Sequence, residues 1–291
     1  MKKITFILIV CSIFFVTNAQ QLDAYRIYTA NGEEITYGAM KNNLMAKDVV
    51  LFGELHDNPI AHWLQLELAA SMFETKGKSL TLGAEMFEAD NQLIINEYFW
   101  DYINQNRFEA EARLWPNYKT DYKPIIEFAK ENGINFIATN IPRRYAAMVS
   151  GGGFEALEKL TDEAKSYIAP LPIEYDPELS VYKAMVTMMG MPAKGHVDNQ
   201  NLPKAQAIKD ATMAWNISKN LSENGTFQHF HRTYHSDNYA DIVWYLKRYR
   251  PKVNVGTIAT VLQDNIEQLD EENHGKADYI IVVPHRMTRT Y

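Results

Sequence analysis

Residues 48–59 read Asp48-Val49-Val50-Leu51-Phe52-Gly53-Glu54-Leu55-His56-Asp57-Asn58-Pro59. The first half of this stretch is an apolar run that ends at a glycine, a pattern typical of a buried strand. The second half can start a helix, because Asp57 or Asn58 can cap the first turn and proline is accepted within it. A strand followed directly by a helix is the repeating unit of an α/β fold.

The same alternation continues along the chain. Five further strands are predicted, at 79–86, 134–139, 226–231, 253–261 and 279–283. Helical sequence separates most of them, which favours a mostly parallel central sheet with helices on both faces. Residues 154–224 carry only helical signals, interrupted by prolines. We therefore expect a single α/β domain over residues 20–291 with an all-helical insertion at about 154–224.

The overall composition excludes several classes of protein. Of the 291 residues, 46% are hydrophobic and 22% are charged, which is ordinary for a globular domain and unlike a disordered chain or a polytopic membrane protein. The formal net charge is −7. Proteins that bind phosphate backbones carry a basic surface, so nucleic acid is not an expected partner.

The N-terminus has the pattern of a targeting segment. Lys2 and Lys3 precede an apolar run over residues 4–16, which is too short for a bilayer that needs about 20 residues. A basic start, a short apolar core and a small-residue end are typical of a secretory signal peptide. We expect residues 1–19 to be removed and the protein to be exported to the periplasm or cell envelope.

The single cysteine, Cys11, lies inside this apolar run. It would be the lipidated residue of a lipoprotein, but Ile9 and Val10 before it are bulkier than such a site prefers. A lipid anchor is therefore the less favoured alternative. Without Cys11 the exported chain uses neither disulfides nor thiolate chemistry.

Groups that bind metals or move protons follow three of the predicted strands. Glu54 and His56 end the first strand, Glu85 ends the second, and His235 follows the strand that begins at residue 226. Ligands of open α/β sheets bind at the carboxyl ends of the strands. Glu54, His56, Glu85 and His235 are thus candidates for a divalent metal site or an acid–base site. Alternatively, His56 caps a helix and Glu85 pairs with Arg143 or Arg144.

A second candidate site lies in the helical insertion. Tyr182, Met185 and Met189 share one helix face, and Lys194 and His196 follow closely. Methionine suits a broad apolar ligand surface, tyrosine can ligate ferric haem, and lysine or histidine can meet haem propionates. Core packing is the alternative explanation of this face.

The motifs, taken in order, resemble those of a known family. The stretch at 49–59 is similar to the opening signature of ChaN-type haem-binding proteins, which belong to the wider Tiki/TraB/erythromycin-esterase superfamily. Further matches are Gly83-Ala84-Glu85-Met86-Phe87, the Asn-x-Pro-Arg segment at 140–143, the Asp-x-x-Met-Ala helix at 210–214 and Tyr234-His235-Ser236-Asp237. One departure is Arg232, which replaces the glycine of a second Gly-x-x-His motif.

The resemblance implies a non-catalytic haem-binding protein in bacterial iron acquisition at the cell envelope. It also implies dimers that sandwich haem and contact with outer-membrane haem uptake machinery. Tyr182 is the first candidate for the iron ligand and Tyr175 the second. The alternative from a different class is a metal-dependent hydrolase, in which the metal is held or water is activated by Glu54, His56, Glu85 and His235. In that case Arg143 or Arg144 would stabilise the developing negative charge.

Overall fold

The computed structural model describes residues 22–189 and 201–291. The predicted signal peptide with Cys11, and the candidate ligands Lys194 and His196, lie outside the described residues. Within those two ranges, no helix combines the length and the apolar character that a membrane crossing requires.

The described residues form one eight-stranded sheet in the order β2-β1-β8-β7-β3-β6-β4-β5. The strands are β1 Arg26–Thr29, β2 Glu34–Ile35, β3 Val49–Glu54, β4 Leu80–Glu88, β5 Asn135–Asn140, β6 Thr226–Arg232, β7 Val255–Gln263 and β8 Tyr279–Pro284. Strands β3 to β8 run parallel, and β1 is antiparallel to both β2 and β8. The predicted α/β class and mostly parallel sheet are therefore confirmed. The short antiparallel pair β1–β2 was not predicted.

Ten α-helices are found within the described ranges. They are α1 Tyr37–Leu44, α2 Pro59–Lys76, α3 Gln92–Phe99, α4 Gln105–Glu111, α5 Lys123–Asn132, α6 Arg143–Gly152, α7 Asp162–Lys165, α8 Ser180–Met189, α9 Leu202–Asn220 and α10 Ile242–Tyr249. Helix α2 begins as its sequence predicts, because Asn58 Oδ1 accepts a hydrogen bond from the Ala61 main-chain N–H at 3.0 Å and Pro59 lies in the first turn.

Helices cover both faces of the sheet, as predicted. Helices α1 to α5 bury side chains such as Leu64 and Ile126 against one face, and α6, α9 and α10 bury Val149, Ile208 and Ile242 against the other. The described part of 154–224 contains α7, α8 and α9 and no strand. Of these, α9 packs directly on the sheet, so this region supplies much of the second helical layer. The domain boundaries at 20–291 remain a prediction.

The chain order places a crevice between β3 and β6. Helix α2 carries the chain from β3 over one face to β4, and α10 carries it from β6 over the opposite face to β7. Such a topological switch point leaves a crevice outside the carboxyl ends of the strands, where ligands bind. Glu54 and Arg232 are register partners at this position.

The outer edge of β5 is closed by a side chain. Gln92 Nε2 donates to the Phe136 carbonyl oxygen at 2.9 Å, and the Ala138 main-chain N–H donates to Gln92 Oε1 at 2.7 Å. One amide thus satisfies the two main-chain groups that a neighbouring strand would otherwise use.

Candidate functional site

Glu54 closes β3 and lies at the centre of a buried charge network. Its side chain is 1% exposed. Oε1 lies 2.6 Å from His56 Nδ1 and accepts a hydrogen bond from the Tyr122 hydroxyl at 3.0 Å. Burial raises the pKa of Glu54, but the hydrogen bonds and positive charge of His56 and His62 outweigh burial and lower it to about 2. Glu54 is therefore a carboxylate at neutral pH.

His62, on α2, has the contacts of a cation. Nε2 lies 2.9 Å from Glu54 Oε2 and 3.1 Å from the His56 carbonyl oxygen, and Nδ1 lies 3.1 Å from Gln65 Oε1. Burial lowers the pKa of His62, but the Glu54 carboxylate acts in the opposite direction and the net pKa is raised. An imidazolium donates from both ring nitrogens, and here both nitrogens face acceptors.

Further buried polar side chains extend the Glu54 network. Asn117 Nδ2 donates to the His56 carbonyl oxygen at 2.7 Å and to Asp121 Oδ2 at 2.6 Å. Asp121 Oδ2 also accepts a hydrogen bond from the Thr290 hydroxyl at 2.7 Å and lies 4.0 Å from His62 Nε2. Residues distant in sequence therefore complete the network.

A second network is built around His235. Its Nε2 lies 3.2 Å from Glu85 Oε1 on β4, and its Nδ1 lies 2.5 Å from Asp210 Oδ1 on α9. The other Glu85 oxygen, Oε2, accepts a hydrogen bond from the Arg232 main-chain N–H at 2.9 Å. His235 is thus held between two carboxylates from different elements, Glu85 on β4 and Asp210 on α9.

Electrostatics in this second network favour the charged forms of Glu85 and His235. Burial lowers the pKa of His235, but the charges of Glu85 and Asp210 reverse this effect and raise it to about 10. Burial raises the pKa of Glu85, but the positive charge of His235 lowers it well below its usual range. His56 also lowers the pKa of Glu85, so the two networks are electrostatically connected.

Two neutral histidines lie on β6 between these networks. His229 Nε2 lies 2.7 Å from the Thr139 hydroxyl, the Nδ1 atoms of His229 and His231 lie 3.1 Å apart, and His231 Nε2 lies 2.8 Å from the Ser236 hydroxyl. Burial lowers the pKa of His229 far below its usual range and that of His231 to about 3. Because both rings are neutral, one Nδ1 can donate to the other. The hydrogen bonds therefore run without a break from the Thr139 hydroxyl to the Ser236 hydroxyl.

The four residues of the predicted metal site reach the same edge of the sheet, but as two separate pairs. Glu54 is paired with His56, and Glu85 is paired with His235. Over residues 22–189 and 201–291, no group of three or more His, Cys, Asp or Glu side chains is arranged to hold a metal ion. This arrangement does not favour the metal-dependent hydrolase.

Arg143 is not brought to either carboxylate. It lies exposed at the start of α6 and makes no ion pair with the described residues. Arg144 pairs with Asp90 at 2.5 Å, so neither arginine is the partner of Glu85. The cap of α2 is Asn58, not His56.

The two candidate tyrosines of the haem surface differ in exposure. Tyr182, on α8, is 1% exposed, and its ring centroid lies 5.2 Å from that of Tyr175, which is partly exposed. Met185, also on α8, is partly buried, and Met189 is the last residue of that helix. Burial raises the pKa of the Tyr182 hydroxyl far above its usual range. Tyr182 therefore faces the interior, and Tyr175 reaches the surface.

Asp241 links this helix to the second network. It is fully buried, and both carboxyl oxygens and the Tyr182 hydroxyl lack a hydrogen-bond partner of normal geometry among the described residues. Its backbone has φ 50° and ψ −110°, a conformation that costs energy for any residue with a side chain. Burial, together with the negative charge of Asp210, raises the pKa of Asp241 to about 9. The carboxyls of Asp210 and Asp241 also raise the pKa of Tyr182, so all three groups lie close together.

Several members of the networks were not predicted as site residues. The sequence does contain an indication for Asp210, because this carboxylate lies among apolar residues of a helix, in the stretch Ala207-Ile208-Lys209-Asp210-Ala211. Asp121 and Tyr122 follow an irregular segment with no pattern that indicates a site. Thr290 reaches Asp121 only through the tertiary fold.

Comparison with known proteins places the chain in a family. A family model described as haem-binding uptake, Tiki superfamily, ChaN, matches residues 40–246. A solved structure of cofacial haem binding to ChaN of Campylobacter jejuni is similar with a TM-score of 0.66 and 15% identity, covering 89% of this chain and 96% of that one. An erythromycin esterase in its open conformation is similar at a TM-score of 0.46 and 11% identity, over 81% of this chain and 77% of that one.

A curated relative is also found. Protein RETICULATA-RELATED 5, chloroplastic, of Arabidopsis thaliana is 26% identical over 157 residues, which are 50% of this chain and 21% of that protein. The chain thus spans about a fifth of the length of this relative.

The family match covers well over half of the 291 residues and includes β3, β4, β5, β6 and the helix with the Asp-x-x-Met-Ala motif. The similarity to ChaN of Campylobacter jejuni shows that the fold is shared as well. This chain belongs to the ChaN family of haem-binding uptake proteins within the Tiki superfamily.

Proposed function

We propose that this protein binds haem and takes part in haem and iron acquisition at the bacterial cell envelope. Family membership supports haem as the ligand. The structural observation that carries the proposal is the partly exposed phenol of Tyr175, which packs on Tyr182 beside the apolar face of α8.

The surface next to Tyr175 suits a flat apolar ligand. Val186 is 54% exposed on α8, and Met185 is partly exposed one residue earlier. The thioether of Met185 adapts well to an irregular ligand surface, and Val186 adds an exposed apolar side chain beside it. These residues would contact the macrocycle of haem.

Tyr175 would be the iron ligand, because it is the partly exposed member of the two candidate tyrosines. When bound, haem supplies a ferric centre that a phenolate can ligate. Tyr182 is the alternative ligand, and its hydroxyl would have to leave the interior, where it lies close to Asp210 and Asp241. Lys194 and His196 remain candidates for the propionates.

Export and assembly complete the proposal. The basic start and short apolar run of residues 1–19 support export to the periplasm or cell envelope, where haem would be received from or passed to outer-membrane uptake machinery. A homodimer that pairs two α8 surfaces would cover exposed groups such as Val186 and enclose haem between the copies.

The test is a haemin titration of residues 20–291, followed by absorbance, in the wild type and in Tyr175→Phe, Tyr182→Phe and Tyr102→Phe variants. Tyr102 is 74% exposed on a different part of the molecule and provides the matched control. We expect saturable binding with a high-spin spectrum typical of a phenolate ligand. Loss of that spectrum in Tyr175→Phe alone supports Tyr175 as the ligand.

The other outcomes are also decisive. Loss of the spectrum in Tyr182→Phe alone would assign the ligand to Tyr182 and require a rearrangement of α8. Absence of saturable binding in the wild type would contradict the proposed function. A change in the Tyr102→Phe spectrum would show that the titration reports nonspecific adsorption of haemin.

A further inference from the structure

A short peptide segment contacts the loop that follows β3, beside the crevice at the carboxyl ends of β3 and β6. Residues 289–291, named the strap here, reach Asp57 of that loop and the carboxylate of Asp121. Arg289 and Tyr291 of the strap are exposed, Tyr291 by 66%. The strap is therefore a surface peptide held beside the strand ends, where α/β proteins bind ligands.

Three specific contacts hold the strap in place. The Thr290 main-chain N–H donates to the Asp57 carbonyl oxygen at 3.1 Å, and Arg289 Nη1 lies 3.2 Å from Asp57 Oδ2. The Thr290 hydroxyl donates to Asp121 Oδ2 at 2.7 Å. The two contacts to Asp57 anchor the strap at the loop that follows Glu54 and His56.

The Thr290 hydroxyl reaches directly into the Glu54 network. Asp121 Oδ2, which accepts this hydrogen bond, lies 4.0 Å from His62 Nε2, and that nitrogen lies 2.9 Å from Glu54 Oε2. The side chain of Asp121 is only 2% exposed. One exposed segment thus provides a donor to a carboxylate that is otherwise enclosed with charged groups.

Charge explains why such a donor is needed. His62 Nε2 lies 2.9 Å from Glu54 but 4.0 Å from Asp121, so His62 compensates Asp121 only partly and Asp121 also takes neutral donors. Thr290 and Asn117 supply those donors at 2.7 Å and 2.6 Å. If the strap leaves, Asp121 must take another donor, which can be water or a hydroxyl or N–H group of a small ligand.

We propose that the strap is a lid on this crevice, and that its release opens the Glu54–His62 network to water and to small polar molecules that donate hydrogen bonds. The strap occupies with Thr290 the position that such a molecule would take against Asp121 and Asp57. The strap contacts Asp57 and Asp121, whereas the proposed haem surface is formed by α8 and Tyr175, so the two proposals rest on different residues and are tested separately.

The experiment compares residues 20–291 carrying Thr290→Val or Thr290→Ser with the wild type. Valine keeps the shape of threonine and removes the hydroxyl, whereas serine keeps the hydroxyl. Thr75→Val is the matched control, because the Thr75 hydroxyl makes an exposed bond to Ser71 on α2. The probes are amide hydrogen exchange of residues 115–122 and the rate at which diethyl pyrocarbonate modifies His56, whose side chain is 23% exposed.

A hydrogen bond to a charged group stabilises by about 1.5–3 kcal/mol, so its loss should increase opening about tenfold or more. We therefore expect Thr290→Val to accelerate both probes by about tenfold, with Thr290→Ser and Thr75→Val unchanged. Equal rates in Thr290→Val and the wild type would overturn the proposal. Faster exchange throughout the central strands β3 and β6 would also overturn it, because it would indicate general destabilisation and not a lid.

Discussion

Asp210 lies 2.5 Å from Nδ1 of His235, on the other ring nitrogen from the one that faces Glu85. This contact makes α9 a structural partner of the strand ends and not merely a cover for the sheet. Because Asp210 also lies close to Tyr182 and Asp241, the strand-end chemistry and the proposed haem surface share one buried carboxylate.

Substitution of Asp210 tests the strength of this link. In Asp210→Asn, the buried imidazolium of His235 loses one of its two carboxylates, so the free energy of unfolding should fall by about 3 kcal/mol. Urea unfolding at pH 7 measures the change. Asp162→Asn, an exposed carboxylate of α7, is the control and should differ from the wild type by less than about 0.5 kcal/mol. A similarly small change in Asp210→Asn would show that Glu85 alone holds His235.

Stability in acid should depend on Glu54. Its pKa in the folded protein is about 2, against an ordinary value of 4.5. The group therefore contributes stability above about pH 4.5, and this contribution is lost as the pH falls from 4.5 towards 2. Melting temperatures between pH 2 and 6 should fall less steeply for Glu54→Gln than for the wild type. Parallel curves for the two proteins would contradict the lowered pKa.

Asp241 should be a destabilising residue. Glycine at this position removes the buried carboxyl and tolerates a φ of 50°, so Asp241→Gly should stabilise the fold by about 1–3 kcal/mol. A carboxyl whose pKa is raised to about 9 favours folding most below its ordinary pKa of 3.8, and it becomes unfavourable as the pH rises towards 9. The advantage of Asp241→Gly should therefore increase between pH 4 and 9, which a series of thermal melts would detect. A destabilised Asp241→Gly protein would show that the carboxyl has a stabilising partner.

Two glycines should respond to alanine in opposite ways. At Gly53 a Cβ atom would lie 2.6 Å from Thr233 Cα and 2.9 Å from the Ile258 carbonyl oxygen, so β3 would have to separate from its neighbours. We expect Gly53→Ala to cost about 1–3 kcal/mol and to perturb the Glu54 network beside it. Gly151, on α6, has open space around it, and Gly151→Ala should stabilise by up to about 1 kcal/mol. Denaturant unfolding of both variants provides the comparison, and equal effects would argue against the close packing at Gly53.

The central sheet was predictable because its strands are buried on both sides. Runs such as Val49–Gly53 are continuously apolar, and helical sequence with clear caps lies between them. The edge strands β1 and β2 have four and two residues, and neither has an apolar run long enough to predict a strand. Their pairing depends on β8, which lies more than 240 residues later in the sequence.

The candidate site was predictable in its location but not in its connections. Topology brings Glu54, His56, Glu85 and His235 to one edge, as expected from strand ends in a parallel sheet. Which carboxylate pairs with which imidazole depends on side-chain directions and on Asp210, whose position requires the packing of α9. The inward orientation of Tyr182 likewise follows from the packing of α8 on α9 and from the neighbouring Tyr245 of α10. The spacing of residues on α8 shows which of them share a face, but it does not show whether that face is buried.

The amide of Gln92 has a consequence for how copies of this chain can associate. Because the Gln92 amide occupies the main-chain groups of Phe136 and Ala138, the β5 edge of the sheet offers no main-chain template there for a strand from another molecule. The opposite edge ends in the two-residue β2. Growth of the sheet from chain to chain, the route to fibrils and to strand exchange, is thereby disfavoured. The protection matters most during folding, in the period when the strands are still exposed to other chains.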